Sequence, residues 1–368
     1  MDRAVLIDVV IPSIRPNASN LSRIVSLEAP PQTSVRYYVV VDTDEPIDSM
    51  AQGLASRKNT TSIVNDRNRG AAFSRNRGFS AGSGDFVLFI DDDTEPDPDL
   101  IAAYRRAVDG NPDAPGFAGT TRFKPAINSF TSGMVASGIP DVWSMAETHA
   151  TLAWGVTSNL LVRRSTAKDV RFSEVFPKGG GGEDIDYGLC LTSRCGRPLV
   201  SVPEAITIHD WWNGGRRQYR RLFRWAYGDS RLGQLHPEHR FYAPPNLVET
   251  LTVGLVVLGI TIGAGFIDPL RVALWAGAMI FVDLAVEVVR LSGTGRKAGV
   301  RTSLEAAVIR CTNDLGRLVG NLRRGRLAGF MERFDYFCTR ETVPHELRLA
   351  TAKFFMFLAA SIIVFVLR

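Results

Sequence analysis

Cysteine is scarce in this chain: Cys190, Cys195, Cys311 and Cys338 are the only ones in 368 residues. Their spacings match neither paired C-x-x-C zinc ligands nor a dense disulfide framework, so they read as reduced thiols, and a small disulfide-stapled scaffold is excluded. The N-terminus lacks the apolar h-region of a signal peptide, because Asp2, Arg3 and Asp8 bracket too short an apolar run. The segment that follows is therefore expected in the cytosol. A strong charge of one sign is missing as well, since 43 Lys and Arg against 38 Asp and Glu leave only +5. The surplus is local, gathered between Arg290 and Arg348, whereas acidic residues gather near Asp42, Asp91 and Glu183. The basic residues lack interleaved aromatic platforms and lie beside apolar runs, which argues against a nucleic-acid partner.

What is present begins with an apolar, β-branched run from Val5 to Ile11 that ends in Pro12. A second, Val35 to Val41, ends in Asp42 and Asp44, and a third, Asp85 to Ile90, stops at three aspartates. Such runs read as parallel strands buried on both faces, and the helix-length polar stretches around them give an α/β pattern. In these sheets ligands bind beyond the carboxyl ends of the strands. Three strands thus deliver acidic groups to one edge.

The composition changes after about Pro245. Leu247 to Ile267 and Leu270 to Val289 are two apolar stretches separated by Asp268 and Pro269, each just long enough to cross a bilayer. They predict a membrane hairpin. Phe354 to Leu367 is a third run, of borderline length unless it extends back to Leu349 with Lys353 snorkelling to the interface. Asp283 and Glu287, four residues apart, are costly against lipid and should face protein or water. The arginine-rich segment between the second and third runs, which includes Arg296 and Lys297, belongs on the cytoplasmic side beside anionic lipid. The expected organisation is a cytosolic catalytic domain over 1–245, a transmembrane hairpin over 246–290, a basic interfacial segment over 291–348 and a transmembrane helix over 349–368. That makes a multi-pass protein of the cell membrane.

The strongest chemical signal is F-V-L-F-I-D-D-D-T-E-P at Phe86 to Pro96. Carboxylates at alternate positions, Asp91 and Asp93, can share one hard cation, Mg²⁺ or Mn²⁺, that keeps open positions for phosphate oxygens. The plainer reading is a solvated turn that caps a helix over Asp97 to Ala107, which explains one aspartate but not three. The second signal is K-G-G-G-G-E-D-I-D-Y-G, Lys178 to Gly188. Four glycines supply a mobile or tightly turned loop, and Glu183 and Asp184 then open a helix. They serve either as dipole-favoured caps or as a general base for an attacking hydroxyl.

Taken in order, V-I-P, an acidic end to the second strand, N-R-G and S-R-N-R-G at Asn68 to Gly78, D-D-D, G-G-G-G-E-D and R-L-F-R-W at Arg221 to Trp225 resemble the inverting family 2 glycosyltransferases of the GT-A fold. The resemblance covers about the first 230 residues. It implies a Rossmann-like mixed sheet flanked by helices, and displacement at an anomeric carbon while a metal and basic groups stabilise the departing nucleoside diphosphate. Pro12 and Asp42 would border the nucleoside of a nucleotide-sugar donor, with Asp44 assisting. Arg69, Gly70 and Arg75 fall where the family approaches the uridine or diphosphate, although Arg75 equally reads as a surface helix charge. Asp91 would contact ribose or metal-bound water, Asp93 would be the principal metal ligand, and Asp92 would point elsewhere in the donor site. Asp184 is the implied base, Glu183 would bind the acceptor, and Asp186 is a second-rank base.

His209, after a short apolar strand in I-T-I-H-D-W-W, is either structural or a completing metal ligand. Trp211, Trp212 and Trp225 offer flat faces to a sugar or to the membrane interface. Processive synthases carry Q-x-x-R-W where this chain has Arg221 to Trp225, so an arginine replaces the glutamine. Arg221 and Arg224 then suit a diphosphate on the donor or on a lipid carrier. The leading expectation is transfer of one or a few sugars, UDP-linked by preference, to a lipid-linked or envelope glycan acceptor. A small processive polysaccharide synthase and a silent membrane scaffold are the alternatives. A polyprenyl-phosphate sugar synthase is disfavoured because its phosphate nucleophile needs no base.

Overall fold

The computed structural model describes residues 4–14, 18–43, 57, 59–263, 267–293 and 299–366. The chain divides into two compact units, one of residues 1–125 and 141–214, the other of 126–140 and 215–368.

The first unit is built on β1 (Val5–Ser13), β2 (Thr33–Val41), β3 (Thr60–Val64) and β4 (Phe86–Ile90). All four are parallel, and register pairs Ser13 with Val41 and Val10 with Phe89. Their carboxyl ends therefore share one edge. The expected burial on both faces is found: all five residues of β4 are buried, as are Ile7 to Ile11 of β1. One of those is an aspartate. Asp8 is tolerated there because Arg36 and Arg164 ion-pair with it at 2.8 and 2.7 Å, and the Gly84 amide donates to it.

Beyond β4 the sheet becomes mixed, through β5 (Thr94–Pro96), β6 (Gly116–Phe123), β7 (Thr151–Leu152), β8 (Asn159–Arg163) and β9 (Leu199–His209). Among the described residues the order is β3-β2-β1-β4-β8-β6-β9-β5, with β7 also on β9. Helices α1 (Ala18–Ile24), α2 (Ala71–Ala81) and α3 (Leu100–Gly110) belong to this unit. Helix α3 starts later than the expected Asp97, because residues 97–99 form a turn in which Asp97 accepts from the amides of Asp99 and Leu100.

Helix α4 (Ser129–Ser137) lies between β6 and β8 in sequence but is part of the second unit, whereas α5 (Glu183–Cys195) returns to the first. The second unit continues with α6 (Tyr219–Asp229), α7 (Leu247–Gly263), α8 (Pro269–Gly293), α9 (Val300–Arg323) and α10 (Val343–Val366). Residues 215–245, expected with the first domain, group here because α6 packs directly on α9. Small residues permit the approach: a Cβ on Gly316 would lie 2.3 Å from the Phe223 carbonyl oxygen.

Two helices, α8 and α10, are long and apolar enough to cross a membrane. Helix α7, the first arm of the expected hairpin, has only 17 described residues and is shorter than that. The C-terminal run is longer than its apolar core suggested, since helix begins at Val343. Lys353 does not snorkel: its ammonium lies 2.6 Å from Asp283 of α8. Glu287 pairs with Arg290 of its own helix at 2.6 Å, and both acids of α8 are buried and so face protein, as their desolvation cost requires.

Candidate active site

The turn after β4 presents three carboxylates in different surroundings. Asp91 accepts from the Arg75 guanidinium at 2.9 Å. Asp92 accepts from the Ser13 hydroxyl at the end of β1. Burial, reinforced by the neighbouring charge of Asp93, pushes the Asp92 carboxyl up to about 7. Burial also raises Asp91, against the pull of Arg75.

Asp93 is half exposed and stands 3.2 Å from Nε2 of His209. The contact is produced by strand pairing, because β5 runs antiparallel to β9 with Thr94 opposite His209. His209 is buried, and its Nδ1 faces the Asp210 carbonyl. A carbonyl oxygen only accepts, so Nδ1 carries the proton and the Nε2 lone pair of the neutral ring points at Asp93. A carboxylate and a lone pair facing each other need a cation between them, either a proton or a metal. Burial of the ring disfavours a proton there, but the hydrogen bond and charge of Asp93, the Asp210 carbonyl and the Asp91 charge together raise the His209 pKa. Hard oxygen ligands joined by an imidazole whose far nitrogen is anchored to the backbone are a donor set suited to Mn²⁺ or Mg²⁺.

The aromatic surroundings of His209 are asymmetric. Trp211 is buried, stacks on Phe123 at 4.9 Å and donates its indole N–H to the Pro125 carbonyl, so it builds the wall and is not an open platform. Trp212, half-buried, lies edge-on to Phe123 and Trp143 and 4.8 Å from the His209 ring.

Asp42 sits at the end of β2 with both oxygens committed to its own chain. It accepts at 2.7 Å from Asn65 and from the amides of Arg69 and Gly70. Its geometric effect is to fold the loop that carries Arg69. Gly70 has φ 96°, and a Cβ there would meet the Lys178 backbone at 2.8 Å. This contact joins the loop to the glycine run. Gly180, Gly181 and Gly182 all have positive φ, so the run is tightly turned, which only glycine allows at three successive positions. Pro12 lies within β1 at the same sheet edge, and Asp44 falls outside the described residues.

The turn launches α5. Glu183 is buried and accepts from Arg75 at 3.2 Å and from the Gly181 amide at 2.9 Å. Arg75, itself buried, therefore braces the Asp91 turn against the start of α5, and is neither a surface charge nor an open donor contact. Asp184 is half-buried and accepts a hydrogen bond from the Ile185 amide. Burial, followed by the charge of Glu183, raises its pKa to about 7. Asp186 is buried in the same turn.

The first unit thus brings together Asp42, Arg69, Gly70, Arg75, Asp91 to Asp93, Glu183, Asp184 and His209. Arg221, Arg224 and Trp225 lie on α6 in the second unit, where the Arg221 guanidinium covers the Trp225 ring. Sequence reasoning missed Ser13, Asn65, Phe123 and Trp143. Only Ser13, next to Pro12 at a strand end, carried any signal.

Residues 24–126 match the family model described as Glycosyl transferase family 2. Over that stretch the chain is similar to the family 2 glycosyltransferases. Its α/β sheet, with acidic groups at the edge where β1, β2 and β4 end, is the GT-A arrangement that the sequence resemblance implied. The glucosyl-dolichyl phosphate glucuronosyltransferase of Haloferax volcanii is 36% identical over 83 residues, 22% of this chain and 26% of that protein. The chain thus matches about a quarter of the length of this curated relative. Among solved structures, the mannosyltransferase PcManGT from Pyrobaculum calidifontis in complex with GDP-Man and Mn²⁺ is similar with TM-score 0.46 and 13% identity, over 99% of this chain and 87% of that one. S. aureus TarS 1-349 gives TM-score 0.44 and 14% identity, over 87% and 91%.

Proposed function

We propose that this protein is a membrane-anchored, metal-dependent glycosyltransferase that moves a sugar from a nucleotide-sugar donor to a hydroxyl of a lipid-linked acceptor, with inversion. The observation that carries the proposal is the pairing of two sites in the one unit that holds all but the last of the residues 24–126 matching the family 2 model. Asp93 and the anchored His209 leave a position for a cation, and Asp184 is a carboxyl poised near pH 7.

Asp93, Asp91 and His209 would hold Mn²⁺ or Mg²⁺. When bound, the ion neutralises charge on the departing nucleoside diphosphate. Asp184 removes the proton from the acceptor hydroxyl, a task for which a base poised near the working pH is suited. Arg75 keeps Glu183 and the start of α5 in register with the acidic turn. Arg69, on the loop folded by Asp42, is the donor-side cation, and Trp212 is the aromatic face for a sugar. Arg221 and Arg224 give α6 a basic character that suits phosphate on the donor or on a lipid carrier.

The lipid-linked acceptor is supported by the relative whose name includes glucosyl-dolichyl phosphate. UDP is the favoured nucleotide on the family resemblance. Helices α8 and α10 would anchor the chain, and with α7 crossing as the other arm of a hairpin with α8 the basic residues after α8 favour a cytoplasmic catalytic unit.

The test is release of nucleoside diphosphate by the detergent-solubilised protein across a panel of nucleotide sugars, with and without a lipid-linked acceptor and with Mn²⁺, Mg²⁺ or EDTA. Turnover of one donor that needs metal, is lost in Asp93→Ala, and is lost in Asp184→Asn with metal binding intact, is the expected result. Full activity in EDTA would remove the metal from the proposal, and full activity of Asp184→Asn would remove the base.

A further inference from the structure

Helix α9 is two-faced in a way that its own packing does not explain. Its inner face, with Ala306, Ile309, Gly316 and Gly320, is buried within the second unit against α4 and α6. Its outer face carries Val300, Leu304, Val308, Leu315 and Leu322, which are 72%, 42%, 45%, 43% and 44% exposed. At about 100° per residue these five fall within an arc of roughly 80° along the helix, an exposed apolar stripe interrupted at the buried Leu318. Exposed Arg301 and Arg323 border it on one side, and exposed Arg310 on the other.

A second observation tells which way the stripe faces. Cys311 belongs to the same arc, and its Sγ lies 3.9 Å from Asp283 of α8. The apolar stripe is therefore on the side of α9 where a candidate span packs. Exposed aliphatic groups beside a membrane span, edged by arginines, match the boundary between acyl chains and anionic head groups.

We propose that the outer face of α9 is a membrane-binding surface, lying in the plane of an anionic leaflet with its stripe buried about 5–10 Å deep. The inference rests on the reading that α7 and α8 cross the bilayer as a hairpin, which returns α9 to the side of α4 and α6. Leu304, Val308 and Leu315 insert between lipids, while Arg301 and Arg323 meet the phosphates.

The experiment uses the full chain with its four cysteines replaced, carrying one nitroxide label at Leu304→Cys, Val308→Cys or Leu315→Cys. The protein is placed in nanodiscs of phosphatidylcholine and phosphatidylglycerol, and label accessibility to oxygen and to a water-soluble nickel chelate is compared. Phe281→Cys, on an exposed position of α8, and Asp113→Cys, an exposed residue of the first unit, are the lipid and water references. The expected result is high oxygen and low nickel accessibility at all three α9 sites, at shallower depth than at position 281. Protection should be weaker in discs of phosphatidylcholine alone.

Nickel access at the α9 sites equal to that at position 113 would overturn the proposal. Low access to both reagents would overturn it in favour of protein covering the stripe, and equal protection in both lipids would overturn the anionic assignment. If position 281 is also open to nickel, it is the membrane reading itself that fails.

Discussion

Asp184 holds its proton more tightly in the folded chain than an ordinary carboxyl does, because burial and the Glu183 charge both disfavour its ionised form. Its pKa of about 7 lies above the unfolded value near 3.9, so the stability it contributes is fully present below about pH 4 and lost as pH rises through about 7. Asp184→Asn should therefore melt higher than wild type at about pH 8, with the gain shrinking toward about pH 5. Transfer should fall by about 10²–10⁴-fold in the same variant. Melting curves at the two pH values check the sign, and a loss of stability at the higher pH would contradict the raised pKa. Arg75 has the opposite character. Arg75→Ala leaves two carboxylates at the site without their shared cation and should destabilise by about 3–5 kcal/mol, measured by denaturant unfolding of the solubilised protein. Arg75→Lys keeps the charge but loses the two-pronged geometry, so it should recover folding better than activity.

Among elements, the turn of residues 178–182 and the loop at Gly70 depend on each other. A methyl group at Gly70 faces both a positive φ and the Lys178 backbone, so Gly70→Ala is expected to cost on the order of 1–3 kcal/mol and to weaken donor binding. Nucleotide titration by calorimetry reads the second effect. Unchanged affinity would show that the loop does not approach the donor. In the second unit the Lys353 and Asp283 pair links α10 to α8. Lys353→Met leaves a carboxylate unpaired between apolar helices and should destabilise. Adding Asp283→Asn should restore much of the loss, with a coupling of about 0.5–3 kcal/mol in a double-mutant cycle. Additive effects would mean that the two helices are held by other contacts, such as the 2.9 Å hydrogen bond from the Trp275 indole to Ser361.

For the whole molecule, the two units are interleaved in sequence. Phe130, Met134 and Ala136 of α4 are buried within the second unit, where Ala136 packs against Leu291 and Ala306, although α4 is encoded between two strands of the first. A truncation after Pro245 removes α8 and α9 and uncovers that face. It should aggregate, whereas the full chain in detergent should run as a single species in size-exclusion chromatography. A monodisperse 1–245 fragment would show that α4 finds another cover.

Much of this was legible in the residues themselves. The apolar runs gave β1, β2 and β4 because strands buried on both faces are nearly continuous in Val, Ile, Leu and Phe, and each ended at its polar punctuation. Asp91 to Asp93 and the glycine run stood out because neither pattern has a use in a core. Local order was thus determined by the sequence: the strand ends, the acidic turn, the glycine loop, the apolar helices. Pairings between distant residues were not. That His209 meets Asp93 follows from β5 adding to β9, that Arg75 is a buried brace follows from its side chain reaching both the turn after β4 and the start of α5, and that Lys353 is paired follows from α10 lying on α8. Each depends on contacts between segments far apart in the chain, where a local pattern gives the type of a side chain but not its partner.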